Sequence, residues 1–222
     1  MKKRTVHIAP SLLAADFSQL KLEVNRVASL GATYLHYDVM DGHFVPNISF
    51  GVPIVAALSK TPGLVHDVHL MIKNPQNFIE AFVKAGANII TFHYEALDSD
   101  TKRFQLIQTI KRHKVKVGMC IKPLTEVDRL LPFLNDLDVA LIMSVEPGFG
   151  GQLFLKNAID KIAFLRKEID QRNISCLIEV DGGINDLTAP LCTQAGVDIL
   201  VAGSYLFNQQ DMPKRYAALL KS

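Results

Sequence analysis

The sequence predicts an α/β chain folded as a single (β/α)8 TIM barrel, and three observations carry that expectation. Short β-branched runs alternate with helical stretches along all 222 residues, the pattern of a parallel sheet whose crossovers are helices. Eight such units can be drawn, which favours closure over the open doubly wound sheet that the same alternation could also build. A helix-to-strand step recurs as Leu30-Gly31-Ala32, Ala85-Gly86-Ala87 and Ala195-Gly196-Val197, each glycine standing just past a helix C-terminus, where a left-handed residue suits the turn. A chain of 222 residues has room for one such barrel and too little for two domains with separate large cores. Residues 1–222 are therefore read as one domain, with its active site at the C-terminal ends of the strands.

The expected strands are Val6–Ala9, Thr33–Asp38, Leu64–Leu70, Ala87–Phe92, Val115–Met119, Val139–Met143, Cys176–Val180 and Ile199–Ala202. Most are the short staves that a barrel uses. Between them, Leu20, Val24 and Val27 recur at helical spacing over Phe17–Leu30, and Ile159, Ile162 and Leu165 do so over Ala158–Ile169. Ser18 is placed to cap the first helix, and Asn74-Pro75 opens the third.

A hydrophobic share of 49% with 21% charged residues describes a chain that folds around a core and excludes the disordered and fibrous classes. Net charge is only +2 with the basic residues dispersed, so neither a nucleic acid nor a membrane surface is an expected partner. The opening MKKRTVHIAPSLLAADF reaches Pro10 and Asp16 before any apolar run suited to a signal peptide, and no stretch has the length of a membrane span. A cytoplasmic protein is expected. Cys120, Cys176 and Cys192 are odd in number and lack C-x-x-C spacing, so they are read as small core residues and not as disulfides or zinc ligands.

Chemistry should collect beyond the strand ends. His36 and Asp38 stand two apart on the second strand, so the two-residue period turns both to the same face. His69 closes the third strand in Asp67-Val68-His69-Leu70-Met71, and Asp181 closes the seventh in Glu179-Val180-Asp181-Gly182-Gly183. Two imidazoles and two carboxylates suit one divalent metal ion such as Zn2+, Fe2+, Mn2+ or Co2+, whose identity stays open. Asp38 and Asp181 come from well-separated parts of the ring, so a ligand over the barrel would meet a carboxylate on each face. That arrangement permits inversion of a carbon beside a ketone: one carboxylate takes its proton, a planar enediolate forms with cation support, and the other returns a proton. No redox cofactor is needed.

Three glycine-bearing turns follow strands six, seven and eight: Gly148-Phe149-Gly150-Gly151, Gly182-Gly183 and Gly203-Ser204. On neighbouring loops they form the phosphate cradle expected of such barrels, because glycine lets backbone N–H groups approach anion oxygens closely. Met40, Met71 and Met143 lie at or just past strand ends, where methionine usually serves ordinary packing; the functional reading makes them an apolar lining around the intermediate. Ser11, after the first strand, is placed to bond a substrate hydroxyl. The segment Gly42–Gly51 is long for a βα loop and is expected to fold over the ligand. His7, His43, His66, His93 and His113 show no partner spacing, with His93 at the end of strand four the nearest to the mouth.

Six blocks carry a resemblance to a known family: Ile8-Ala9-Pro10-Ser11 with Ala15-Asp16-Phe17, the run from His36 to Asn47, Asp67 to Met71, Pro147 to Gln152, Glu179 to Ile184, and Val201 to Ser204. In this order, from Ile8 to about Phe207, the chain closely resembles the ribulose-phosphate 3-epimerase family. The resemblance implies interconversion of D-ribulose 5-phosphate and D-xylulose 5-phosphate in the pentose phosphate pathway. It also implies His36, Asp38, His69 and Asp181 as metal ligands, Asp38 and Asp181 as the acid/base pair, Ser11 and His69 toward the sugar, the glycine turns toward phosphate, and a homo-oligomer. Departures from the family pattern are small: Tyr37, Glu146 and the run Cys120-Ile121-Lys122-Pro123.

Three other readings stay open on sequence grounds. A sister family epimerises D-allulose 6-phosphate with the same metal and aspartates, although Gly148-Phe149-Gly150-Gly151 and Gly182-Gly183-Ile184 favour the pentose. A barrel lyase would cleave a carbon–carbon bond through a similar intermediate, and an inactive sugar-phosphate-binding barrel would have no need of the intact aspartate pair.

Overall fold

The computed structural model describes residues 4–207 and 210–222. Eight parallel strands run β1 (His7–Pro10), β2 (Tyr34–Met40), β3 (Val65–Met71), β4 (Ile89–His93), β5 (Lys116–Ile121), β6 (Val139–Met143), β7 (Leu177–Asp181) and β8 (Ile199–Ala202). They pair in the order β1-β8-β7-β6-β5-β4-β3-β2, and the parallel bridge between Ser11 and His36 joins the two ends of the sheet. The ring of the (β/α)8 barrel expected from sequence is thereby closed. The sixth and eighth strands match the expected bounds, and the ends of the other six shift by one or two residues. At β4, for instance, Asn88 is in the turn, where its Oδ1 accepts a hydrogen bond from His66 N at 2.8 Å.

Helices α1 (Leu20–Ser29), α2 (Val52–Leu58), α3 (Ile79–Lys84), α4 (Asp100–Arg112), α5 (Asn157–Arg172), α6 (Ala189–Ala195) and α7 (Met212–Leu220) cover the outside. Among the described residues the β5–β6 crossover has no α-helix. Two short 3-10 turns, Val127–Leu130 and Leu134–Asp136, replace it, because Pro132 between them offers no N–H to continue a ladder. The first helix also differs from expectation. Phe17–Gln19 is a 3-10 turn ahead of α1, and its cap is Asp16, whose Oδ1 accepts from Ser18 N at 2.9 Å and from the Ser18 hydroxyl at 2.7 Å. Ser18 is thus the capped residue, since the carboxylate two residues back reaches its N–H first. Asn74-Pro75 opens a 3-10 turn before α3, without a side-chain cap. Gly31, Gly86 and Gly196 all have positive φ, as the helix-to-strand step requires.

Of the apolar positions read from helical spacing, Leu20 and Ile159 stay half-buried and the other four enter the core. Val24 and Val27 of α1 and Ala158, Ile162, Leu165 and Ile169 of α5 are buried against the outer face of the sheet. Inside the barrel, Ala9, Tyr34, Ile89, Val139, Ile199 and Val201 form a small apolar plug. Each inward row changes character as it climbs: on β2, Tyr34 belongs to the plug, while His36 and Asp38 follow at two-residue steps. The plug forces polar side chains above it toward the mouth. Gly118 on β5 shows how tight the interior is, since a Cβ there would lie 2.1 Å from Thr91 Oγ1 of β4. All three cysteines are buried and free.

Candidate active site

The β2–β3 register sets His36 beside Asp67, Asp38 beside His69 and Met40 beside Met71, while β6–β7 pairing sets Met143 beside Asp181. These four neighbouring pairs bring the residues singled out from the sequence to one opening. His36, Asp38, His69 and Asp181 each offer a ligand atom within 4.8 Å of the others. His36 Nε2 lies 3.4 Å from Asp38 Oδ1 and 3.4 Å from His69 Nδ1, and His69 Nδ1 lies 3.3 Å from Asp38 Oδ1. Ligands at about 2.0–2.1 Å around a tetrahedral ion stand about 3.3 Å apart. The triangle of two nitrogens and one oxygen therefore has the edges a first-row divalent ion needs, and Asp181 supplies a further oxygen nearby. The donor set fits the expected metal.

The atoms behind this triangle orient it. His36 Nδ1 donates to Asp67 Oδ2 at 2.7 Å, with both side chains fully buried, which leaves Nε2 as the nitrogen facing the triangle. Asp38 Oδ2 accepts from the Ser11 hydroxyl at 2.6 Å, so Oδ1 turns to the triangle. Ser11 thus holds Asp38 in place while also lining the cavity above it. His69 Nε2 lies 2.9 Å from His93 Nε2, and His93 Nδ1 lies 3.3 Å from Glu95 Oε2. Burial of His93 lowers its pKa to about 4, so it is a neutral ring with one donor and one acceptor. Glu95 is desolvated, yet bonds from His93, the Thr125 hydroxyl and Lys122 N pull it down to about 2.

The two aspartates differ in proton affinity. Burial opposes the charge on Asp38, but His36 and the hydrogen bonds from both imidazoles prevail and hold its carboxyl well below the usual range. Asp181 is pushed up to about 7 by burial and by the negative Asp38. Opposed carboxyls with separated affinities are what an acid and a base require at neutral pH. Burial works against charge on His36 too, yet Asp38 and Asp67 raise its pKa well above the ordinary value, so the pocket at Nε2 strongly favours a positive charge.

Above this floor lies a cavity of about 560 Å³, counting the space that opens to solvent. Asp38 and Asp181 both face it, with Met40, Met71 and Met143 on its wall and Gly148, Phe149, Gly150, Gly151, Gly182, Gly183, Gly203 and Ser204 along one side. Those turns are contiguous because β6, β7 and β8 are neighbours in the sheet. At Gly183, with φ of 63°, a Cβ would sit 2.7 Å from Phe154 N, so glycine is also demanded by packing there. His36 and His69 are fully buried beneath the cavity and are not on its wall. The loop after β2 crosses toward the glycine turn after β6, where Asn47 Nδ2 donates to Gly148 O at 2.8 Å.

Asp67, Glu179, His93, Glu95 and Ser144 were not picked out as site residues from sequence. Asp67 and Glu179 carried a readable signal, each standing two residues before a mouth residue on the same inward row. Ser144 fixes the seventh-strand turn by donating to the carbonyls of Asp181 and Gly182 at 2.9 and 2.6 Å; no spacing announces it.

Comparison with known proteins agrees with this geometry. The model of the ribulose-phosphate 3 epimerase family matches residues 7–207. A ribulose-phosphate 3-epimerase of Chlamydia pneumoniae is 45% identical over 221 residues, covering 99% of this chain and 95% of its own. One from Bacillus subtilis is 45% identical over 210 residues, covering 94% and 95%. Among solved structures, 3-keto-L-gulonate-6-phosphate decarboxylase from Vibrio cholerae shares the fold, with a TM-score of 0.73, 14% identity and coverage of 99% and 97%. On a match that spans nearly the whole chain, this barrel belongs to the ribulose-phosphate 3-epimerase family of carbohydrate isomerases.

Proposed function

We propose that this barrel interconverts D-ribulose 5-phosphate and D-xylulose 5-phosphate, a step of the pentose phosphate pathway, by moving a proton on and off C3. The observation that carries the reading is the pair Asp38 and Asp181, facing one cavity with unequal proton affinities above a buried pair of histidines. His36, Asp38, His69 and Asp181 would hold one divalent ion, with Zn2+, Fe2+, Mn2+ and Co2+ all compatible with two nitrogens and two oxygens. When bound, the ion supplies positive charge beside the ketone and the neighbouring hydroxyl.

The chain's own groups do the rest. Ionised Asp38 takes the C3 proton as the C3–H bond breaks and its electron pair moves toward the carbonyl, leaving a planar enediolate. Protonated Asp181 then delivers a proton to the opposite face and the new C3–H bond forms. Each aspartate ends in the other's starting state, and the reverse reaction exchanges their roles. Met40, Met71 and Met143 line the cavity without offering a competing proton. The glycine turns after β6, β7 and β8 receive the phosphate, fixing which carbon lies between the carboxyls, while Ser11 lines the catalytic side of the sugar site and His69 supports it from beneath.

Residence in the cytoplasm fits the three buried free thiols, and no described helix is long and apolar enough to cross a membrane. Assembly as a homo-oligomer completes the proposal. The test is turnover of D-ribulose 5-phosphate in D2O, in matched samples before and after chelation. Deuterium at C3 of the product, with activity lost on chelation and restored by a divalent ion, is expected. Product without deuterium would point to hydride transfer or cleavage and defeat the reading, and faster turnover of D-allulose 6-phosphate would transfer it to the hexose.

A further inference from the structure

The upper barrel holds three buried groups of metal-type side chains: His36, Asp38, His69 and Asp181; His36, Asp67 and Glu179; and His69, His93 and Cys120. Distance separates their roles. In the first group the nitrogens and oxygen stand 3.3–3.4 Å apart. In the third, His69 Nε2 and His93 Nε2 are 2.9 Å apart, closer than the about 3.3 Å between two ligands on one tetrahedral ion and well within hydrogen-bond range. That contact is a hydrogen bond, and one ring must donate.

With a cation in the triangle only one direction satisfies every neighbour; without one, His69 Nδ1 can instead donate to Asp38 Oδ1, 3.3 Å away. His69 Nδ1 faces the ligand triangle, so it presents a lone pair and its proton sits on Nε2. His93 Nε2 then accepts, which puts the His93 proton on Nδ1, 3.3 Å from Glu95 Oε2, and an ionised carboxylate can only accept. The opposite direction would aim a proton from His69 Nδ1 into the triangle and set the bare His93 Nδ1 against the carboxylate. Glu95 is itself anchored, since its Oε1 accepts from Lys122 N at 2.8 Å and from the Thr125 hydroxyl. His93 is fully buried, and Phe44 packs on its ring at 4.8 Å.

We propose that His93 and Glu95 are positioning residues: the chain from Glu95 through His93 to His69 fixes the His69 tautomer so that Nδ1 offers its lone pair to a divalent cation. This rests on the metal reading above. It assigns the two histidine ligands different supports, a carboxylate in direct contact for His36 and a carboxylate relayed through a second imidazole for His69. Neither His93 nor Glu95 lines the sugar cavity.

The test is the Zn2+ dissociation constant of the metal-stripped chain, measured by competition with a chelator, for wild type, His93→Leu, His93→Gln and Glu95→Gln. Loss of a group that orients a metal ligand weakens binding by about 10–100-fold. His93→Leu should fall in that range, Glu95→Gln near its lower end, and His93→Gln, whose amide oxygen restores an acceptor, should recover most of the affinity. Nitrogen NMR of the Zn2+-loaded wild type should show His69 protonated at Nε2. Wild-type affinity in His93→Leu, a glutamine variant no better than leucine, or a His69 proton on Nδ1 would each overturn the relay. If His93→Leu does not fold, the comparison of Glu95→Gln with wild type and the NMR readout decide. A wild-type chain that takes up no Zn2+ would instead defeat the metal reading itself.

Discussion

Asp67→Asn isolates what the buried carboxylate does for His36. The 2.7 Å bond from His36 Nδ1 to Asp67 Oδ2 joins two fully buried side chains, so solvent screening does not blunt it. A hydrogen bond to a charged acceptor contributes about 1.5–3 kcal/mol, against about 1 kcal/mol for a neutral one. The amide keeps the shape and removes the charge, so metal binding through His36 Nε2 should lose about 1–2 kcal/mol. At about 1.4 kcal/mol per tenfold, that is roughly a 5–30-fold weaker metal site. The assay is thermal unfolding of chain stripped of metal and of chain at fixed excess Zn2+. Metal-free Tm combines two opposed effects, because His36 loses a charged partner while the carboxylate that raises the Glu179 pKa is also removed. The rise in Tm on adding metal must shrink, by about 2–4 °C per kcal/mol for a chain of this size. An unchanged rise would refute the claim that Asp67 acts through the ligand nitrogen of His36.

Asp38→Asn and Asp181→Asn should each abolish epimerisation while circular dichroism shows an intact barrel; a near-normal rate in either removes that residue from the proton path. Glu179→Gln tests the second buried carboxyl. Burial and the neighbouring Asp67 raise the Glu179 pKa well above its ordinary value, so in the metal-free fold it stays protonated where the unfolded chain ionises, and wild-type stability falls as pH rises above about 4.5. The glutamine variant escapes that loss, so its Tm advantage should widen from pH 5 to pH 8; a constant difference would contradict it. Asn47→Ala removes the 2.8 Å bond to Gly148 O that ties the two mouth loops together. It should raise KM severalfold with Tm lowered by only a few degrees, as expected for a half-buried contact between two loops, and an unchanged KM would show that the tie does not serve the substrate.

Much of the site was legible because its residues obey a local rule. His36 and Asp38 share a face by the period of the strand, and His69 and Asp181 stand at strand ends that a barrel must bring together. The same rule, applied one step lower, would have reached Asp67 and Glu179. His93 stood at an expected strand end, yet its role depends on β4 lying beside β3, a relation across 24 residues that no local pattern encodes. The missing helix between β5 and β6 and the Asp16 cap were misjudged for a different reason. Both turn on which backbone donor a nearby side chain or proline satisfies first, and several candidates stood within a residue or two.

By itself the amino-acid order determined the alternation of strand and helix, the closure implied by eight units, the convergence of two imidazoles and two carboxylates on one mouth, and the row of glycine turns. Those follow from periods of two and 3.6 residues and from the backbone freedom of glycine, which act within a few residues of chain. Only the tertiary structure decided the 3.3–3.4 Å triangle, the nitrogen that each imidazole turns toward it, and the unlike proton affinities of Asp38 and Asp181. Those depend on register between strands distant in sequence and on removal from water, which exist only once the ring has closed.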